Sequence, residues 1–206
     1  MIFTQCIPTA VCTVISTPPG TALRPSSKAL IQSSCKKTLY SDLCVRSLTR
    51  FAPNRELSSR DLAHIALTVS LVKARYTRAY LLFVAKKVKT ASKRDTQAVH
   101  DCLSQITDGV DRLSQSIVEL RHIARSGTQE DFEWCSSNIE TWLSAALTDT
   151  ETCLDEFPRH AMGGKAKLIV KAKVLNVAQA SSNALALFHR FAAAYRSTNR
   201  WIKKSP

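Results

Sequence analysis

From Leu62 onward, apolar side chains recur at Ile65, Val69, Val72, Tyr76, Tyr80 and Phe83. Steps of three and four residues place them along one side of a helix with a 3.6-residue period. No Gly or Pro interrupts this run, and the whole chain of 206 residues holds only five Gly and seven Pro. Sandwiches and barrels need a turn residue about every ten residues. The chain is therefore committed to long helices.

The flanking residues give the first helix its limits. In "FAPNRELSS", residues 51–59, Pro53 is a breaker, Ser58 or Ser59 supplies an N-cap, and Asp61 falls in the first turn. The polar stretch "KTASKRDTQ", residues 89–97, reads as the linker that ends it, with Val88 the last stripe position. A second helix carries Ala98, Cys102, Ile106, Val110, Leu113, Ile117, Leu120 and Ile123, and closes at Ser126-Gly127, where Gly supplies a left-handed residue. "TQED" at 128–131 has the form of a capping box and opens a third helix with Phe132, Cys135, Ile139, Trp142, Ala146 and Cys153 on its apolar side. After Phe157-Pro158 and "RHAMGGK", a fourth helix holds Leu168, Leu175, Ala178, Ser182, Leu185 and Phe188.

Four amphipathic helices joined by short polar loops fold most simply as an up-down-up-down bundle, an all-α architecture. Residues 29–49, with Leu30, Ile31, Leu39, Leu43 and Leu48, form a short helical hairpin ahead of it. A hydrophobic content of 45% in a chain of this length supports one core and one domain. We place that domain at 29–193, with the hairpin at 29–52 and the bundle at 58–193. The basic tail 194–206 is expected to fray.

Seven cysteines lie at 6, 12, 35, 44, 102, 135 and 153, and none shows the two-to-four-residue spacing of a zinc ribbon or finger. Cys35 and Cys44 bracket the turn of the hairpin and read as a local disulfide, which implies an oxidising compartment. In an antiparallel bundle Cys102, near the start of the second helix, and Cys153, near the end of the third, reach the same end and can be bridged. Cys135 on the apolar stripe is a buried free thiol, a reactive thiol or half of an intermolecular bridge; Cys6 and Cys12 are unassigned. Residues 1–23 carry no charge and only a weak apolar run, "AVCTVIS", so 1–28 reads as a degenerate export leader or a disordered tail. No stretch approaches the roughly 18 apolar residues that span a bilayer.

The residues then resemble a known family. Two cysteines bracketing eight residues in an N-terminal hairpin, a helix beginning "DC", "WLSAALTDTETCLDEF" in the third helix and "SSNALAL" in the fourth are together similar to the plant invertase and pectin methylesterase inhibitor family, over about residues 29–193. The resemblance implies a secreted, disulfide-stapled four-helix bundle with Cys35–Cys44 and Cys102–Cys153 paired. It implies an inhibitor, not an enzyme, that binds pectin methylesterase one to one and covers the active-site cleft in the apoplast or cell wall, with no cofactor. Acid invertase is the alternative target, and the pro-segment of a pectin methylesterase the alternative context. The contact surface falls on bundle helices two and three, with Thr152, just before the third-helix cysteine, as one contact and Ser144, Asp149 and Ser104 beside it. Ser104 stands where inhibitors of pectin methylesterase can carry an acid, and the Pro-Lys-Phe tripeptide associated with invertase inhibitors is absent. The missing tripeptide sets the expectation of pectin methylesterase as target, while Ser104 departs from its pattern at one polar contact.

Charge adds a second candidate surface. The chain carries a formal +13, and residues 62–94 hold Lys73, Arg75, Arg78, Lys86, Lys87, Lys89, Lys93 and Arg94 without an acid. The cluster Lys86, Lys87, Lys89, Lys93 and Arg94 could touch a polyanion such as demethylated pectin, or be a solvated helix face. Nucleic acid is not expected, because Tyr76, Tyr80 and Phe83 are assigned to the core stripe instead of alternating with the cations as a stacking platform. Glu119 and His122 have the Glu-x-x-His spacing of a di-iron bundle, but the first and fourth helices offer no inward Glu, so no metal is expected. There is no Gly-x-Ser-x-Gly elbow or Ser-His-Asp order, and His100, His160 and His189 read as surface residues.

Overall fold

The computed structural model describes residues 25–87, 92–123, 128–155 and 165–202. Among them are six helices and no strand: α1 (Pro25–Cys35), α2 (Ser41–Phe51), α3 (Ser59–Lys87), α4 (Lys93–Ile123), α5 (Gln129–Asp155) and α6 (Lys165–Ile202). The first two make the hairpin and the last four the bundle. Of the leader assigned to 1–28, residues 1–24 lie outside the described residues, as do the Gly127 stop, 159–164 and Lys89, while 25–28 belong to α1.

Local chemistry sets the helix starts. Ser58 Oγ accepts the Asp61 N–H (3.2 Å) while Asp61 Oδ2 accepts the Ser58 N–H (2.8 Å), a reciprocal cap with Asp in the third position. Arg55 clamps the same carboxylate, and its hydrogen bond holds Asp61 well below the usual carboxylate range. Ser92 Oγ caps α4 by accepting the Asp95 N–H (3.2 Å), so the helix begins inside the stretch expected as linker. Thr128 Oγ1 caps α5 through the Asp131 N–H (3.1 Å). Pro25 opens α1 four residues before the expected hairpin, as its fixed φ and missing N–H allow in a first turn.

Around the bundle, α3 packs on α4, α4 on α5, α5 on α6, and α6 returns to α3. The main core joins Leu62, Leu67, Leu113, Leu120, Phe132, Ile139 and Phe188 with the hairpin residues Ile31 and Leu48. A smaller cluster of Leu81, Val84, Val99, Ile106, Val170 and Val174 surrounds Cys102 and Cys153 at the other end. No helix among the described residues is long and apolar enough to cross a membrane.

Two expected stripes are corrected. On α3 the expected positions Leu62, Ile65 and Val69 are buried, but further along the buried face shifts to Ser70, Ala74, Thr77, Leu81 and Val84, leaving Tyr76 71% and Phe83 53% exposed. On α6 the expected Ala178 and Phe188 are buried, but their companions are Val170, Val174, Val177, Ser181 and Ala184, while Leu168 and Leu175 point to solvent. Small residues at the seam let helix axes approach. On α3 the buried hydroxyls bond within their own helix, Ser70 Oγ donating to the Ala66 carbonyl (3.0 Å) and Thr77 Oγ1 to that of Lys73 (2.9 Å), whereas Ser181 Oγ on α6 is buried without a partner among the described residues. Apolar spacing ranked the aromatics above these small polar residues, and packing chose the reverse.

Within the tail 194–206 expected to fray, residues 194–202 continue α6 to Ile202, and 203–206 lie outside the described residues. Tyr195 stacks on Phe132 with ring centroids 3.8 Å apart, and Arg196 Nε donates to Glu133 Oε2 at 2.9 Å. These contacts tie the last turns of α6 to the start of α5.

Candidate functional site

Two disulfides form the frame, Cys35–Cys44 and Cys102–Cys153. The first closes the hairpin turn. The second joins the first turns of α4 to the last turns of α5, with both sulfur-bearing residues fully buried. Cys135 is the free cysteine among the described residues and is buried on α5. Its Sγ lies 3.5 Å from His122 Nδ1, and burial, with Glu119 nearby, pushes the thiol up to about 11. It is a core side chain in its neutral form.

The α4/α5 seam is built around a close approach. At Gly109 an added Cβ would lie 3.8 Å from Asp149 Oδ2 and 3.9 Å from the Ala146 carbonyl oxygen, so α5 faces this turn of α4 at ordinary contact distance. Asp149 is 8% exposed and pairs with Arg112 of α4. Burial raises the Asp149 carboxyl above its usual value, against the lowering pull of Arg112 and with a further push from Asp108. Further along the seam, Asn138 Nδ2 donates to Glu119 Oε1 at 3.1 Å. Glu119 and His122 thus turn their polar groups to α5 residues, and among the described residues no group of three or more His, Cys, Asp or Glu could hold a metal.

The four residues expected at a partner contact separate into two sets. Ser104 is exposed on α4, two residues after Cys102. Ser144 is exposed and Thr152 half-buried on α5, with exposed Thr148 between them at helical spacing. Thr152 Oγ1 donates to the Thr148 carbonyl (3.0 Å) and Thr148 Oγ1 to that of Ser144 (3.2 Å), so the hydroxyls are orientated along one strip. Ser104 thus lies two residues after Cys102, and Thr152 one residue before Cys153, the two bridged cysteines. Asp149 does not belong to this strip: close packing beside Gly109 buries its carboxyl, where it holds α4 to α5. Sequence reasoning passed over Gly109, Arg112 and the exposed acid Asp108, one turn beyond Ser104.

The basic cluster is divided. Lys86 and Lys87 are exposed at the end of α3, and Lys93 and Arg94 are exposed in the first turn of α4.

Comparison with known proteins agrees with this geometry. Residues 29–187 match the family described as plant invertase/pectin methylesterase inhibitor. The chain is 41% identical over 181 residues to pectinesterase inhibitor 9 of Arabidopsis thaliana, covering 87% of this chain and 89% of that one. It is 39% identical over 196 residues to pectinesterase inhibitor 11 of the same plant, covering 94% and 96%. The fold matches the crystal structure of a mutant form of a pectin methylesterase inhibitor from Arabidopsis, with a TM-score of 0.60 at 21% identity over 80% of this chain and 96% of that one. With its two disulfides, hairpin and bundle in place, the chain belongs to the plant invertase/pectin methylesterase inhibitor family.

Proposed function

We propose that this protein is a secreted inhibitor that binds pectin methylesterase one to one and closes its active-site cleft to pectin. The observation that carries the reading is the strip Ser144, Thr148 and Thr152 on α5, which ends next to Cys153 of the bridge that ties α5 to α4, the helix that bears exposed Ser104. A surface already rigid when free loses little side-chain and backbone freedom on docking, which favours affinity. Neutral hydroxyls of this kind can donate to and accept from the polar groups that line a sugar-binding cleft. The inhibitor names of the two relatives support the target, and two disulfides suit an oxidising, extracellular setting. Blocking is steric, and the chemistry remains with the esterase.

The test is an activity assay with the disulfide-intact protein in stoichiometric excess over pectin methylesterase at mildly acidic pH, with acid invertase in parallel. Esterase activity is expected to fall toward zero and invertase activity to persist. An unaffected esterase would overturn the proposal. The variants Ser144→Arg and Thr152→Arg, with an unchanged helical circular dichroism spectrum, should lose inhibition.

A further inference from the structure

The α3 stripe that packing turned outward has a continuous organisation of its own. Tyr80 and Phe83 lie with ring centroids 6.2 Å apart. Lys87 Nζ sits 5.1 Å above the Phe83 ring, and Lys173 Nζ, from α6, sits 5.1 Å above Tyr80. Tyr76 is exposed one turn earlier. One further turn back, Lys73 lines an open groove of about 800 Å³ between α3 and the hairpin, together with Lys28, Arg46, Arg50 and Phe51. No acid lines that groove. Lys73 is lowered by burial and by Arg46, so two cations crowd there without a carboxylate to compensate them.

Residues 62–87 and 157–206 contain no Asp or Glu, whereas most of the chain's sixteen acids lie on α4 and α5. Because α3 packs on α6 and α4 on α5 around the ring, the bundle has a cationic, aromatic flank opposite an acidic one. Exposed rings alternating with lysines suit a ligand that is both ring-shaped and anionic, since pyranose faces stack on aromatics and carboxylates pair with the cations. From Tyr76 to Lys87 the ladder extends about 17 Å along the helix, several sugar units long.

We propose that the α3 flank, from the Arg46/Lys73 groove to the Tyr76, Tyr80, Phe83 and Lys87 ladder, is a binding site for an acidic uronate oligosaccharide, separate from the α4/α5 strip. The choice of uronate over other polyanions rests on the proposed esterase partner, because hydrolysis of a pectin methyl ester leaves a carboxylate on the sugar chain. The protein would then hold the de-esterified product on one flank while the other engages the enzyme. Such an arrangement keeps the inhibitor where the esterase has already acted.

The experiment is calorimetric titration of the full disulfide-intact chain with unesterified galacturonate oligomers, fully methyl-esterified oligomers and duplex DNA. The unesterified oligomer should bind, weakening with added salt, and the esterified one should bind at least about tenfold more weakly because the charge pairing is lost. Tyr76→Ala with Phe83→Ala should each lower affinity by about tenfold, the scale of one lost ring contact, and Lys87→Glu with Lys173→Glu should do so further, while both sets leave esterase inhibition unchanged. Equal binding of the two oligomers, indifference to the ring substitutions, or equally tight and ring-independent DNA binding would overturn the proposal. Loss of inhibition in folded Lys87→Glu/Lys173→Glu protein would also overturn it, by merging the two surfaces. If wild-type protein binds the oligomer but leaves the esterase active, this site stands and the inhibitor reading falls.

Discussion

The side-chain amide of Asn183 pairs with the backbone of Tyr40 through both of its groups, accepting the Tyr40 N–H at 3.2 Å and donating to the Tyr40 carbonyl at 3.0 Å. One α6 residue thus bonds both backbone polar groups of Tyr40 in the hairpin turn, between Cys35 and Cys44 in the chain. Arg190 adds a second tie, donating to the Ser34 carbonyl at 2.6 Å. The "SSNALAL" string in the fourth helix has its physical reason here.

Replacing Asn183 with Ala leaves both Tyr40 groups without that partner, at a cost of about 1–3 kcal/mol for half-buried groups. The loss should be local. Hydrogen exchange is expected to show faster exchange across 25–51 with protection of α4 and α5 retained; uniform loss of protection would contradict the docking role.

Arg112 and Asp149 give a pH signature. Burial raises the folded-state pKa of Asp149, so the folded protein binds this proton more tightly than the unfolded chain does. The contribution to stability is most favourable in acid and diminishes as pH rises through the folded value. Arg112→Ala should therefore cost about 1–3 kcal/mol at neutral pH, where a buried carboxylate is left unpaired, and distinctly less near pH 4. Urea unfolding at the two pH values checks this, and a larger cost in acid would refute it.

Gly109 lies in mid-helix with room for a methyl at ordinary contact distance from Asp149 and Ala146. Gly109→Ala should stabilise the protein by up to about 1 kcal/mol, because Ala loses less backbone freedom on forming helix. Thermal unfolding would register the gain, and a lowered midpoint would mean that α4 and α5 are closer than this spacing allows.

The disulfides and the thiol can be separated chemically. Peptide mapping without reductant should recover Cys35 with Cys44 and Cys102 with Cys153. Cys102→Ser with Cys153→Ser removes a loop closure of about fifty residues, roughly 4 kcal/mol on the chain-entropy estimate. Cys135, buried and with its thiol pushed up to about 11, should resist alkylation at pH 8 until the protein unfolds. Rapid labelling of native protein would contradict its placement.

Much of this was legible in the chain. The second-helix stripe from Ala98 to Ile123 is the buried face of α4, the Ser58 and Thr128 caps lie where the polar residues sit, and the disulfide pairs follow from spacing and resemblance. These features depend on neighbours a few residues apart or on a single antiparallel turn. The aromatic stripe of α3, the register of α6 and the place of Asp149 were not legible. On a helix apolar on two sides, adjacent faces satisfy the same three-and-four spacing, and a long-range neighbour decides which is covered.

The chain by itself determined the helices, their caps, their antiparallel order and the pairs of cysteines that could meet, because each is set by local backbone preference and period. Only the tertiary structure decided that Ala66, Ser70, Ala74 and Thr77 face inward while Tyr76 and Phe83 face water. Close packing rewards the small side chains at the seam more than it rewards burying a large ring that would hold the helices apart. That choice leaves the aromatic and cationic flank of α3 in solvent and places Asp149 beneath the strip that bears Thr152.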